Sequence, residues 1–280
     1  MSNLTQFMFK NKILMLALDH RGSFKKLVDP TNPESVTTQQ AISVKKQIVD
    51  ALYKDFSALL VDVETGLPAY RQHVEHWMGA GKPYLLAIEK TGYEDQSGER
   101  VTELLYTVKE LKDQGAAGIK MLLFFHPHAK TAVRQIELAK KVLTDCRKYN
   151  LPFFIEPLTY PLAGDANLKP DIVVEMVDML LKAGIDADVY KIEYPGDAPS
   201  CTKITKMLGK IPWILLTKGD DFDHFVQGLE VAAAHGCSGF LAGRSLWQDF
   251  SFLPKEKQNE FFNTVVKERF RKICEIVLNS

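Results

Sequence analysis

Two lysines and a glutamate occupy positions where buried, apolar strands are expected. Lys191 interrupts the run "DVYKIEYPG" (Asp188–Gly196), Lys120 lies early in "GIKMLLFF", and Glu156 lies within "PFFIEPLT". A charged ammonium is costly in an apolar interior unless it is paired or has a function. The sequence therefore directs attention to amine chemistry at these three positions.

A lysine is a nucleophile only when it is neutral, and its ordinary pKa of roughly 10.4 keeps it charged. A dry site and a neighbouring cation both lower the pKa of a lysine. With Lys120 as that cation, Lys191 could attack a ketone and form a protonated Schiff base. Glu156 could then remove a proton from the β-hydroxyl group and complete a retro-aldol cleavage. A general base of this kind contributes about 10² to 10⁴ in rate.

Strand alternation assigns Lys191 and Glu193 to one face, while Tyr190 and Tyr194 fall on the other. If the aromatic face packs under helices, Lys191 points inward. A buried lysine can equally be half of a structural ion pair, with Glu193 or Glu156 as its partner. Two inward lysines beside a carboxylate favour the catalytic interpretation.

The elements that must position these side chains are eight apolar runs, which start roughly 25 to 45 residues apart, the scale of a βα unit. Nearly continuous apolar runs are typical of parallel strands that are covered on both faces. The runs are Ile13–Asp19, Phe56–Glu64, Tyr84–Lys90, Gly118–Phe125, Pro152–Thr159, Val189–Pro195, Trp213–Gly219 and Gly239–Ser245.

Helical periodicity occupies the segments between the runs. The clearest helices are Ala132–Tyr149, Asp171–Gly184, Phe222–Gly236 and Asn259–Leu278, and Gly92–Arg100 is expected to be a surface loop. Eight strands that alternate with helices predict an α/β fold, a TIM (β/α)8 barrel in a single domain that spans residues 1–280. A doubly wound open sheet is the alternative, but the first strand is followed by "ALDHRGSFKK" rather than GxGxxG.

The last two predicted strands end in loops that suit a phosphate group. Gly219 and Gly243 let the backbone approach an anion closely, and Arg244 can add a bidentate contact. In many barrels these two loops hold phosphate with backbone N–H groups and a short helix N-terminus. The acidic residues that follow Gly219 are expected to begin the next helix, where carboxylates suit its dipole.

Composition excludes several classes of protein. The 35 basic and 35 acidic residues cancel, so no basic patch indicates a nucleic-acid partner. No apolar run is long enough to cross a membrane, and the first residues lack the apolar core of a signal peptide. The four cysteines form no CxxC pair, which favours a reducing cytoplasm and argues against a thiolate zinc site.

Several segments resemble the class I tagatose-1,6-bisphosphate aldolase family, which includes the sulfofructosephosphate aldolases. The resemblance touches every predicted βα unit except perhaps the seventh, in order along the chain. The segments are Leu16–Leu27, Val61–Ala69, Ile88–Asp95, Gly118–Pro127, Pro152–Tyr160, Val189–Asp197 and Phe240–Asp249.

The resemblance implies an aldolase without metal or other cofactor, which cleaves a phosphorylated ketose to dihydroxyacetone phosphate and an aldehyde. It implies that Lys191 forms the Schiff base, that Glu156 is the acid/base group, and that Lys120 and Asp19 complete the catalytic set. Phosphate contacts carry over to Thr217, Gly219, Gly243 and Arg244.

Two departures from the family concern the substrate mouth. His20 stands where relatives often have Gln, and Thr217-Lys218-Gly219 replaces a small "SAG". His20 and Lys218 could bind a second anion, either phosphate or sulfonate, or Lys218 could face solvent. The sugar therefore stays open.

Two rival functions stay open. One is a metal-dependent barrel aldolase, for which His126 and His128 form the only close histidine pair; they are expected at the surface, as are His73 and His76. The other is a catalytically silent sugar-phosphate-binding regulator. Aliphatic groups on the outer helices suggest a homo-oligomer.

Overall fold

The computed structural model describes residues 3–77, 81–162 and 169–280, without the side chains of Trp77 and Lys169. Eight parallel strands form a closed barrel in chain order, because each strand pairs with the next and the eighth pairs with the first. The predicted TIM-barrel class is confirmed. The strands are β1 Lys12–Leu18, β2 Ala58–Val61, β3 Tyr84–Ala87, β4 Gly118–Phe124, β5 Phe153–Leu158, β6 Val189–Ile192, β7 Trp213–Leu216 and β8 Gly239–Ala242.

Helices surround the barrel and cover its outer face. The main ones are α1 Gly22–Val28, α2 Thr38–Leu52, α3 Gly66–Trp77, α4 Val108–Asp113, α5 Ala132–Tyr149, α6 Lys169–Lys182, α7 Ala198–Leu208, α8 Phe222–Ala234, α9 Arg244–Trp247, α10 Lys255–Phe261 and α11 Lys267–Leu278. Shorter 3-10 helices are Leu4–Phe7, Pro33–Ser35 and Gln248–Phe252.

Local sequence explains where several helices begin and end. Thr37 and Gln40 form a capping box at α2, and the Asp221 side chain accepts a hydrogen bond from the His224 backbone N–H at the start of α8. The acidic residues after Gly219 therefore begin a helix, as predicted. At the end of α5, Asn150 takes a left-handed conformation with φ 56°.

The observed elements differ from the predicted ones in three places. Five strands end about three residues earlier than predicted, since the polar residues at their carboxyl ends leave the sheet and enter the loops above it. The expected loop Gly92–Arg100 contains a two-stranded antiparallel hairpin, Glu94–Gln96 with Glu99–Val101. The last helix begins earlier, at Lys255, and contains a π-helical turn, Phe262–Val266.

The lower half of the barrel is filled with apolar side chains. Phe7, from the turn that precedes the first strand, is buried under the barrel and packs edge-to-face on Phe154 with ring centroids 5.2 Å apart. Burial of one such side chain contributes roughly 2 to 3 kcal/mol. Farther along the strands the buried side chains include the charged groups of Lys120, Glu156 and Lys191.

The outer face carries the larger apolar core. Tyr190 points outward into it and donates a hydrogen bond to the Ile185 carbonyl at 2.5 Å. This fixes the orientation of β6, and Lys191, its neighbour, consequently points into the barrel. Within the described ranges, no helix combines the length and apolar character that a bilayer crossing requires.

Candidate active site

Glu156 joins the two inward lysines. Lys191 Nζ donates a hydrogen bond to Glu156 Oε1 at 2.8 Å, and Lys120 Nζ forms an ion pair with Glu156 Oε2, also at 2.8 Å. The three residues come from β4, β5 and β6, which are adjacent in the barrel. The predicted juxtaposition is therefore present, and all three side chains are at least nine-tenths buried.

Lys120 is surrounded by carboxylates. Besides Glu156, it contacts Glu89 Oε1 at 2.7 Å and Asp19 Oδ2 at 3.0 Å. Burial disfavours the ammonium, but Asp19, Glu156 and Glu89 outweigh it and raise the pKa of Lys120 well above its usual range. Lys120 is thus a buried cation that shares Glu156 with Lys191.

The carboxylates respond in the opposite direction. Burial opposes their ionisation, but Lys120 and Lys191 hold the pKa of Glu156 below its usual range. The pKa of Asp19 is held well below its usual range, mainly by Lys120 against the same burial penalty. Glu156 is consequently an anion that already accepts a hydrogen bond from Lys191, and it can accept a proton from that amine.

Glu89 is a member of this cluster that the sequence did not assign. It follows β3, is 6% exposed, and its second oxygen accepts a hydrogen bond from the Leu122 N–H at 3.1 Å. This bond fixes the carboxylate against β4 while its other oxygen binds Lys120. The only signal in the sequence was a carboxylate at the end of a predicted strand, a position shared by several others.

A cavity of about 210 Å³ opens above the cluster. All the predicted site residues line it except Gly219: Asp19, His20, Lys120, Glu156, Lys191, Thr217, Lys218, Gly243 and Arg244. The barrel therefore brings together residues that lie up to 225 positions apart, from Asp19 to Arg244. Arg21 and Lys90 add further positive charge to the rim.

Gly219 lies directly behind Arg244. With φ at +87°, it adopts a conformation that favours glycine, and a Cβ atom there would lie 2.9 Å from Arg244 Cζ. Arg244 Nη2 donates a hydrogen bond to the Lys218 carbonyl at 3.3 Å. Gly219 thus packs against the guanidinium of Arg244 and does not itself line the cavity. Among the described residues, none bonds the buried Nε of Arg244.

Lys218 is tied to a buried carboxylate. Its Nζ lies 2.6 Å from Glu193 Oε2, and the other oxygen of Glu193 accepts hydrogen bonds from Thr159. Glu193 therefore pairs with Lys218 rather than with Lys191. Lys218 is 38% exposed, so its ammonium reaches both the cavity and solvent.

His20 contributes no positive charge near neutral pH. Burial, outweighing the attraction of Asp19, lowers the pKa of His20 to about 3. Its ring packs edge-to-face on Trp247, with centroids 5.3 Å apart, and its Nδ1 lies 3.7 Å from Asp19 Oδ1. His20 can therefore offer a substrate a hydrogen bond but not an ionic contact.

The other histidines lie in separate surroundings. His126 and His73 are buried, so the expectation that they lie at the surface is wrong for both. His126 packs on Tyr160, whereas His128 is exposed and lies 3.1 Å from Glu175. In the part of the chain that the structure describes, no group of three His, Cys, Asp or Glu residues is arranged to hold a metal ion.

Comparison with known sequences identifies an aldolase family. Residues 13–249 match the family described as DeoC/LacD family aldolase. The tagatose 1,6-diphosphate aldolase of Lactococcus lactis subsp. lactis is 29% identical over 266 residues, which cover 84% of this chain and 80% of that protein. A protein of the same name from Listeria monocytogenes serotype 4a (strain HCC23) is 29% identical over 272 residues, covering 86% of this chain and 78% of its own.

Solved structures share the fold. An archaeal fructose-1,6-bisphosphate aldolase, whose catalytic lysine is covalently bound to the carbinolamine intermediate of its substrate, superposes with a TM-score of 0.63. It is 20% identical, and the match covers 95% of this chain and 97% of the other. A Schiff-base-forming fructose-1,6-bisphosphate aldolase gives a TM-score of 0.63 at 21% identity, with the same coverage of both chains. At these identities the likeness establishes the barrel alone.

Proposed function

Because the chain belongs to the DeoC/LacD aldolase family, we propose that it cleaves a ketose phosphate through a Schiff base on Lys191. The products are dihydroxyacetone phosphate and an aldehyde. Tagatose 1,6-bisphosphate is the leading substrate, since the relatives at 29% identity are named for it. 6-Deoxy-6-sulfofructose 1-phosphate is the second, because Lys218 and His20 alter the mouth relative to the family.

The first step is the attack of the Lys191 amine on the ketone carbon. Lys191 must first lose a proton, and Glu156 Oε1 at 2.8 Å is placed to receive it. The charge of Lys120 helps, since it pairs with Glu156 and keeps that group a carboxylate able to accept the proton. Glu156 then returns this proton to the carbinolamine hydroxyl, and loss of water gives the iminium.

The second step breaks the carbon–carbon bond. Glu156, as a carboxylate again, removes the proton of the β-hydroxyl group, and that carbon becomes the carbonyl of the departing aldehyde. The bonding electrons move into the iminium and form an enamine. Protonation of the enamine carbon and hydrolysis of the imine release dihydroxyacetone phosphate and restore the Lys191 amine. Asp19 and Glu89 hold Lys120 throughout.

The phosphate of the substrate is assigned to the loops after β7 and β8. Arg244 offers a charged, bidentate contact, and the backbone of Gly243 and the side chain of Thr217 line the same end of the cavity. The loop after β7 is fixed to the start of α9, because the Ser245 hydroxyl donates a hydrogen bond to the Asp220 carbonyl at 2.5 Å. A preorganised loop lowers the cost of ordering on binding.

The hydrogen bond from Lys191 to Glu156, beside a second buried lysine, is the observation that carries this proposal. The test is to incubate the protein with dihydroxyacetone phosphate and borohydride, which reduces an iminium to a stable amine. Peptide mass mapping should find the adduct on Lys191. An adduct on Lys120 or Lys218 instead would reassign the nucleophile, and turnover without any adduct would exclude the imine.

The same experiment separates the two rival functions. A metal-dependent aldolase would lose activity with a chelator and form no adduct, whereas the proposed enzyme should cleave at the same rate with or without EDTA. A silent regulator would bind the sugar phosphate without adduct or cleavage. The complete charged cluster around Lys120 favours catalysis over the silent alternative.

A further inference from the structure

Lys45 is a second kind of buried lysine in this barrel. It lies on α2, outside the cavity, and its side chain is fully buried. Its neighbour Lys46 is part of the same helix but pairs with Asp50 at the surface. A buried ammonium needs hydrogen-bonding partners for all its protons, and the identity of these partners indicates what Lys45 does.

Three acceptors surround the Lys45 ammonium. Its Nζ lies 2.7 Å from the carbonyl oxygen of Leu18, 2.7 Å from that of His20, and 2.5 Å from Asp62 Oδ2. The two carbonyls belong to the residues on either side of Asp19. Lys45 therefore fixes the backbone that carries the Asp19 carboxylate.

Asp62, the carboxylate partner of Lys45, is itself held by several hydrogen bonds. Asp62 accepts hydrogen bonds from the backbone N–H groups of Glu64 at 3.0 Å, Thr65 at 2.7 Å and Gly66 at 3.0 Å. A Cβ atom on Gly66 would lie 3.0 Å from the Leu18 carbonyl oxygen, so the turn after β2 packs directly against the end of β1. Asp62 thus holds Lys45 in place.

We propose that Lys45 is a positioning residue of the aldolase site, an inference that rests on the proposed function. It acts by fixing Asp19, whose carboxylate lies 3.0 Å from Lys120. Lys120 in turn contacts Glu156, the partner of Lys191. Without the Lys45 bonds, the loop between Leu18 and Arg21 can turn, and the charged cluster loses one of its supports.

A structural role alone does not account for these contacts. Buried ion pairs are weak contributors to stability, and well-packed apolar residues often replace them without loss. An ion pair with Asp62 would also need only one of the three ammonium protons. The other two are committed to the loop that carries Asp19 and His20.

The test compares Lys45→Met with Lys46→Met, a matched change on the same helix. The readout is the rate of borohydride-trapped adduct formation with dihydroxyacetone phosphate. We expect the maximal rate of Lys45→Met to fall about 10- to 100-fold, the loss typical of a misplaced catalytic group. The half-saturating concentration should change much less, and Lys46→Met should match the wild type.

A double-mutant cycle distinguishes positioning from general destabilisation. If Lys45 acts through Asp19, Lys45→Met should cost much less in an Asp19→Asn background than in the wild type. An equal loss in both backgrounds, or a lower melting temperature with the wild-type trapping rate, would overturn the proposal.

A second variant covers the case in which Lys45→Met does not fold. Asp62→Asn keeps Lys45 and its bonds to both carbonyls but removes the charge that holds it. We expect this variant to trap the adduct more slowly as well, and a folded Asp62→Asn protein with the wild-type rate would overturn the proposal. If wild-type protein forms no adduct, the proposed function itself fails; if only the Lys45 and Asp62 variants behave as wild type, the positioning role fails alone.

Discussion

The Nζ atom of Lys191 lies 2.8 Å from Oε1 of Glu156, although the two residues are 35 positions apart in the sequence. The parallel register of β5 and β6 produces this contact: it pairs Phe154 with Val189 and Ile155 with Tyr190. The next pair along the two strands is Glu156 and Lys191. Strand register therefore brings this carboxylate within hydrogen-bonding distance of the amine.

Replacement of Lys191 by Met should abolish cleavage while the protein stays folded. Met keeps the unbranched stem that packs in the barrel but removes the amine, so we expect kcat to fall by at least about 10³-fold. Release of dihydroxyacetone phosphate, measured in a coupled assay, and circular dichroism check the two halves of this expectation. Lys182→Met changes an exposed lysine on α6 and is the control. A Lys191→Met protein that still turns over would refute the assigned nucleophile.

Replacement of Glu156 by Gln should slow the reaction but preserve binding. The amide keeps the shape of the side chain but cannot accept the Lys191 proton, so kcat should fall about 10²- to 10⁴-fold. KM should change far less, since Glu156 lies on β5, whereas the proposed phosphate contacts follow β7 and β8. Steady-state kinetics and isothermal titration with dihydroxyacetone phosphate measure the two quantities.

The matched control for Glu156 is Glu175→Gln, an exposed glutamate on α6. It should leave both kcat and KM unchanged. Wild-type rates in Glu156→Gln would remove Glu156 from the mechanism and shift attention to Asp19, the other carboxylate that contacts Lys120.

Gly219→Ala should reproduce the effect of Arg244→Ala. The new methyl group would lie 2.9 Å from Arg244 Cζ, in a backbone conformation that alanine rarely adopts, and so would displace the guanidinium. Loss of one charged hydrogen bond costs about 1.5 to 3 kcal/mol, which corresponds to a rise in KM of roughly 10- to 160-fold. kcat should change little in either variant.

Kinetics with a phosphorylated ketose measure this effect, and Arg147→Ala, at an exposed arginine of α5, is the control. If Arg244→Ala leaves KM unchanged, the phosphate binds elsewhere in the cavity. If Arg244→Ala raises KM but Gly219→Ala does not, the loop accommodates the methyl group without displacing Arg244. The close packing of Gly219 on Arg244 is then not required for phosphate binding.

His20 should make the folded protein less stable in mild acid. Its pKa is about 3 when folded and 6.5 when exposed, so between these values the unfolded chain binds the extra proton. Stability from the neutral ring is therefore present above pH 6.5 and is lost as the pH falls towards 3. Between pH 6.5 and pH 5 the loss should be about 1 to 2 kcal/mol.

Urea unfolding at the two pH values measures this loss, with His20→Gln as the comparison. Gln does not titrate, so the variant should lose less stability over the same range. Identical pH dependence in the two proteins would show that His20 is protonated as readily in the folded state as in the unfolded one.

Much of the fold could be predicted because its signals are local. Parallel strands covered on both faces are apolar along their length, and Lys120, Glu156 and Lys191 stand out because each interrupts such a strand. The residues at which the strands end were less predictable. Glu89 and Glu193 are of a type expected at a strand end, yet they lie beyond the last residues of β3 and β6, where the path of the loop decides what they contact.

Lys45 and Lys46 show the limit of local sequence most clearly. Both are lysines of one amphipathic helix, yet one is fully buried and the other lies at the surface. Helical periodicity places Lys45 towards the barrel. It does not indicate that two carbonyls and a carboxylate accept hydrogen bonds from its ammonium there. Those acceptors come from the end of β1 and from the loops that follow β1 and β2, and only the packed barrel brings them to α2.

The sequence by itself determined the eight βα units, the inward face of β6 and the types of residue that can carry amine chemistry. These properties follow from alternation, periodicity and the chemistry of single side chains. The tertiary structure decided the pairings: Glu156 between two lysines, Glu193 with Lys218, and Lys45 beneath Asp19. Such contacts depend on strand register and barrel closure, which join residues far apart in the chain, and an ion pair changes partner completely when atoms move by a few ångströms.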